Sequence, residues 1–197
     1  AAEGLAVEGA HIGLADLAAD SISKTLDDYA ALGCKRLIVP WLDSKYQASL
    51  AGFHAACDEL NRAAEIAAAA GIGIGYHNHD FEFAKTEGEI PYLRMCEWLS
   101  PKVFLQLDIG FVYAAGADAV VLMRENPGRV KTIHVKAFDP DNQTAVVGKD
   151  KVPWAKVFGA AQKYGGADWY VVEHEKYADP PMVCIAQCLQ GVRRFLH

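Results

Sequence analysis

Two histidines one residue apart, His77 and His79, stand in the string Gly75-Tyr76-His77-Asn78-His79-Asp80-Phe81-Glu82-Phe83. Imidazoles can bind a metal ion or carry a proton near neutral pH. Gly71-Ile72-Gly73-Ile74 comes first, so the segment reads as a short strand running into a loop rich in donor atoms. Strand alternation sets His77 and His79 on one side above Gly73 and Gly75, and Ile72, Ile74 and Tyr76 on the other. Three later stretches end in the same manner. From 103 to 108, apolar Val103, Leu105 and Leu107 share one side, leaving Phe104, Gln106 and Asp108 on the other with Asp108 last. From 132 to 136 the inward row is Thr132, His134 and Lys136, and from 169 to 173 Glu173 closes the row. Glu175 has the same parity but lies past the strand end, so it reads as outside the set. Side chains at the carboxyl ends of parallel strands are where barrel folds build their sites. Mixed imidazole and carboxylate donors suit Mn, Zn, Co or Fe better than all-oxygen Ca or thiolate-bound metals.

Bringing these ends together requires strands that alternate with helices. Ala1 to Gly4 reads as the tail of a helix and Leu5 to Ile12 as a strand ending at His11. Ser21 or Ser23 can cap a helix to about Leu32, closed by Gly33, and Arg36 to Val39 is a short strand leading into Pro40-Trp41. Leu50, Phe53, Ala56, Leu60, Ala63 and Ala67 recur at three and four residues, which predicts one long helix from about Gln47 to Ala70. Helices are expected at Ile90 to Leu99, Ala117 to Glu125, Pro153 to Tyr164 and Pro181 to Leu196, with strands at Val103 to Asp108, Lys131 to Lys136 and Trp169 to Glu173. Six strands alternating with helices call for parallel pairing through right-handed crossovers, in one domain over residues 1–197.

Composition narrows the function classes. The 197 residues are 52% hydrophobic and 22% charged, enough apolar material for a sizeable core. A formal charge of -6 leaves no basic footprint for nucleic acid. The Ala-rich run from Ala63 to Ala70 is broken by Glu65 and is far shorter than the roughly 18 apolar residues of a membrane span. Five scattered cysteines, Cys34, Cys57, Cys96, Cys184 and Cys188, read as reduced thiols of a cytoplasmic protein.

At these residues the chain resembles the sugar phosphate isomerase/epimerase superfamily, the xylose isomerase-like barrels that also include the endonuclease IV nucleases. The carrying motifs are Gly-Ala-His-Ile at 9–12, Val-Pro-Trp at 39–41, the string at 75–83, Leu-Asp-Ile-Gly at 107–110, His-Val-Lys at 134–136 and Val-Glu at 172–173. The resemblance implies a parallel (βα)8 TIM barrel in which Leu5 to Ile12 is the third strand, so that the first two βα units are missing and the barrel is N-terminally incomplete. It implies one divalent metal ion (Mn, Zn, Co or Mg) held by His79, Asp108, His134 and Glu173. It further implies isomerisation or epimerisation of a sugar, sugar phosphate or related keto-polyol through an enediolate, with Glu173 as base and His77 or His79 as the second proton carrier. The expected partner is a small-molecule carbohydrate, with neither nucleic acid nor membrane, and a homo-oligomer is compatible with the reading.

Two departures from the family pattern matter. A strand-five glutamate is replaced by His77 with His79 beyond it, which favours an inosose dehydratase-like lyase as the alternative, and Phe111 and Ala137 stand where histidine and aspartate are frequent. An endonuclease IV-type nuclease would need more ligands and a basic groove, and a non-catalytic sugar-binding barrel would keep the pocket without the metal. Among weaker signals, His11, Trp41 and Lys136 are candidate substrate contacts, against a structural histidine, an apolar wall and a salt bridge. Glu82 is a candidate ligand or support for a histidine. Gly148-Lys149 lies in a loop that either covers the site or is plain surface.

Overall fold

Period-two apolar segments separated by amphipathic ones produce, in the computed structural model, six strands in the sheet order β1-β2-β3-β4-β5-β6, the order of the chain. Residues 4–196 are described. The strands are β1 (Ala10–His11), β2 (Arg36–Val39), β3 (Gly73–His77), β4 (Val103–Asp108), β5 (Val130–Lys136) and β6 (Trp169–Glu173). The helices are α1 (Ile22–Ala31), α2 (Ser44–Gln47), α3 (Leu50–Ala69), α4 (Pro91–Trp98), α5 (Ile109–Ala114), α6 (Ala119–Glu125), α7 (Trp154–Ala160) and α8 (Pro181–Arg193). Parallel pairing sets Arg36 opposite Gly73 and Lys136 opposite Glu173. This is the parallel α/β architecture of a TIM barrel. Among the described residues no helix is long and apolar enough to cross a membrane.

Two compact units divide the chain, Ala1–His77 with Ala84–Leu105, and Asn78–Phe83 with Gln106–His197. In the first, α3 buries Phe53, Ala56, Leu60, Ala63 and Ala67, the stripe its spacing predicts. Phe104 fills the histidine side of β3. A Cβ on Gly75 would lie 2.4 Å from its ring and one on Gly73 3.3 Å, so the paired glycines exist to admit an aromatic ring beneath His77. In the second unit Gln106 donates to Thr132 Oγ1 at 2.9 Å, which confirms that the two inward rows of β4 and β5 face the same way.

Several boundaries differ from the sequence reading. The first strand is only Ala10–His11, because Leu5 and Val7 are exposed and their alternation packs on nothing. Gly4, at φ +70°, is not helical, and the rest of the expected helix tail lies outside the described residues. The long helix starts at Leu50, where the Ser49 hydroxyl accepts the Gly52 N–H at 3.1 Å; the separate turn α2 comes before it. Helix α5 was not foreseen, since Asp108 read as a ligand hides its role as the residue that caps that helix. The helix after β5 is α-helical only to Ala160 and widens into a π-helical turn from Ala161 to Gly165, which Gly166 ends at φ +74°. β3 stops at His77, so strand alternation does not carry to His79.

Gly75→Ala should destabilise the chain by about 1–3 kcal/mol, because a methyl must displace a buried ring. Urea unfolding is the measurement. A Phe104→Leu change in the same chain should recover part of the loss, and full stability of Gly75→Ala alone would show that the ring does not occupy that face.

Candidate active site

Asp108 is the last residue of β4 and the first support of α5. Its Oδ1 accepts the Phe111 N–H at 2.9 Å, while Oδ2 is buried and has no hydrogen-bond partner. Asn78, fully buried, fixes the backbone there: its Oδ1 accepts the Asp108 N–H at 3.0 Å and its amide donates to the Asp108 carbonyl at 3.4 Å. The sequence reading gave Asn78 no part, although an amide between two histidines after a strand is a side chain able to satisfy both backbone groups at once.

Donor atoms of Asp108, His134 and Glu173 lie within 4.8 Å of one another. His134 Nδ1 is 2.5 Å from Glu173 Oε2, and Lys136 Nζ donates to Glu173 Oε1 at 2.8 Å. Lys136 also pairs with Glu175 Oε2 at 2.9 Å and lies 3.7 Å from the centre of the Phe111 ring. Glu175, just past the strand end, is therefore part of the network through its ion pair with Lys136. Gly110 is required by this approach, because a Cβ there would meet Lys136 Cγ at 2.7 Å and the Lys136 carbonyl at 2.9 Å.

Each charge responds to its surroundings. Burial raises the Asp108 carboxyl well above the usual range, and the negative Glu173 adds to the effect. Burial also pushes Glu173 up, but hydrogen bonds from His134 and Lys136 outweigh it and hold that carboxyl far below the ordinary value. Lys136 loses basicity to burial and regains more from Glu173, Asp108 and Glu175, for a net rise. Burial and the nearby Lys136 charge lower His79.

His79 lies outside the three-residue group, in a turn where its N–H reaches Glu82 Oε2 at 2.9 Å and its ring is 4.7 Å from Phe111. Glu82 is fully buried and thus serves the turn. His11, Trp41 and His77 belong to the first unit. There His77 is buried with its ring 5.1 Å from that of His11, and half-exposed Trp41 lines a groove of about 380 Å³ with His11, Tyr29 and Pro40. In the second unit Lys136, Phe138, Asn142, His174 and Glu175 line a pocket of about 360 Å³. Its wall, the loop after β5, is fastened by Asp150, which accepts the N–H groups of Phe138 and Gly148 and the Trp154 indole.

One imidazole and two carboxylates in reach of one another, with a buried carboxylate oxygen lacking a partner, fit a divalent cation with N and O preference. The sequence profile of the xylose isomerase-like TIM barrel matches residues 12–187. The crystal structure of a sugar phosphate isomerase/epimerase from Parabacteroides distasonis is 26% identical with a TM-score of 0.74, covering 89% of this chain, which spans 63% of that protein's length. A second sugar phosphate isomerase/epimerase from the same organism is 23% identical, with a TM-score of 0.81 over 98% of this chain and 73% of its own. D-allulose 3-epimerase from Methylomonas sp. in complex with D-allulose is 17% identical, with a TM-score of 0.65 over 90% and 68%. The last two likenesses show the fold alone. No curated protein matches the sequence.

Stability should carry the mark of Asp108. An unfolded aspartate ionises near pH 4, whereas the folded one ionises at higher pH. Between those values the folded chain binds more protons, so this group's contribution falls as pH rises and is fully lost above the folded value. Asp108→Asn keeps the helix-capping oxygen and removes the charge. In buffer with chelator at pH 7 it should unfold later in urea than the parent by about 1 kcal/mol or more. The gap should close towards pH 4, and an unchanged gap at every pH would show that the buried charge is not its origin.

Proposed function

Because the chain belongs to the xylose isomerase-like TIM barrel family, we propose that it is a divalent-metal-dependent isomerase or epimerase of a sugar, sugar phosphate or related keto-polyol. The observation that carries this reading is the convergence of Asp108, His134 and Glu173 around the partnerless Asp108 oxygen. These three residues would hold the ion, with His79 the fourth candidate. When bound, such an ion polarises a carbonyl oxygen and so acidifies the adjacent C–H.

The chain's own groups divide the remaining work. Glu173 is the proposed base for that C–H. Both its oxygens are engaged, so acting as base requires that Lys136 release Oε1. Lys136, retained by Glu175, would then face the oxygen on which negative charge develops, as a cation in a largely buried site. Where it is not a ligand, His79, whose proton affinity is lowered by burial and by Lys136, stays neutral near pH 7 and is suited to take the second proton. The pocket beside Lys136 offers amide, imidazole and carboxylate groups to a polyol tail. The second reading, an inosose dehydratase-like lyase, is favoured by histidine in place of the strand-five glutamate, since an imidazolium can protonate a departing hydroxyl.

Purified without chelator, the full chain should carry about one divalent ion, and His134→Ala should lose it; equal metal in both would remove His134 from the ligand set. Ketoses and inososes incubated in deuterated water should exchange the C–H next to the carbonyl. Glu173→Gln should slow exchange at least about a hundredfold. Retention of all hydroxyls marks an isomerase or epimerase, loss of water marks the lyase, and no exchange on any substrate would sink both.

A further inference from the structure

Lys136 ends β5 with its ammonium between two carboxylates, 2.8 Å from Glu173 Oε1 and 2.9 Å from Glu175 Oε2. Its stem lies against the α5 backbone at Gly110, and the Phe111 ring lies 3.7 Å from the charge, so its movement is confined to the outer bonds of the side chain. The two carboxylates differ. Glu173 is one quarter exposed and also bonded to His134, whereas Glu175 is 57% exposed. A divalent cation that uses Glu173 must take an oxygen from His134 or Lys136 and stand against the positive charge of Lys136. Lys136, itself 12% exposed, would give up Glu173 at a large penalty if Glu175 did not also pair with it.

We infer that Lys136 is a built-in competitor for the metal position, and that Glu175, already paired with it, is the carboxylate that keeps its charge compensated when a divalent cation takes Glu173. The inference rests on the metal reading of Asp108, His134 and Glu173. It makes Glu175 a positioning residue, acting through Lys136 on how tightly the cation is held, and adds that effect to the place proposed for Lys136 at the developing charge.

Titration of the full chain with Mn2+, followed by calorimetry and by the electron paramagnetic resonance of free Mn2+, tests it. Lys136→Met should bind Mn2+ about tenfold more tightly than the parent, within the range for coupled neighbours. Glu175→Gln should bind about tenfold more weakly, since Lys136 is left with Glu173 alone. Combined with Lys136→Met, the Glu175→Gln change should have no effect. Weaker binding by Lys136→Met overturns the inference, as does a Glu175→Gln penalty that survives without Lys136. Parent binding that is insensitive to both changes overturns the inference and spares the metal reading; no Mn2+ binding by any folded variant removes both. Thermal melts report folding. If the methionine variant does not fold, Lys136→Gln takes its place, and unchanged affinity in Glu175→Gln is sufficient to reject the idea.

Discussion

A carboxylate withdrawn from water at the end of a strand is the constraint around which the second unit is arranged. Asp108 has one oxygen capping α5 and the other with no hydrogen-bond partner, while Asn78 fixes its backbone N–H and carbonyl. A charge so placed is costly unless something compensates it. The surrounding fold supplies a candidate compensation in the form of a cation position shared with His134 and Glu173. The same residue therefore ends β4, starts α5 and offers a ligand atom.

Opposite Asp108, the second carboxylate is treated in the contrary way. Glu173 receives His134 on one oxygen and Lys136 on the other, so its negative charge is favoured where that of Asp108 is resisted. Two carboxyl groups a few ångströms apart with divergent proton affinities are a frequent property of sites that bind cations and move protons. Phe111 and Gly110 make this possible from the α5 side, one by stacking on the Lys136 charge and the other by having no side chain to obstruct its stem. Phe111 gives a surface that tolerates a cation without binding a metal.

Much of this was legible in the sequence by itself. Alternation with period two is local, so the inward rows ending in Asp108, His134 with Lys136, and Glu173 could be read without knowing any contact, and β2, β4 and β6 have the predicted bounds. The glycines at 73 and 75 likewise announced a narrow place on the histidine side of β3, later found to be filled by Phe104. The family resemblance read from the sequence agrees with the profile match over residues 12–187. What only the tertiary structure decided lies past the strand ends and between strands. His79 left the row because β3 stops at His77 and a turn held by Glu82 begins. Asn78 and Glu175 became structural partners of Asp108 and Lys136 only in the folded chain, Glu175 once β5 and β6 stood in register. Parity fixes which side a residue faces. The distance between two such residues depends on register and loop path, which come from the packing of distant segments and leave no local pattern to read.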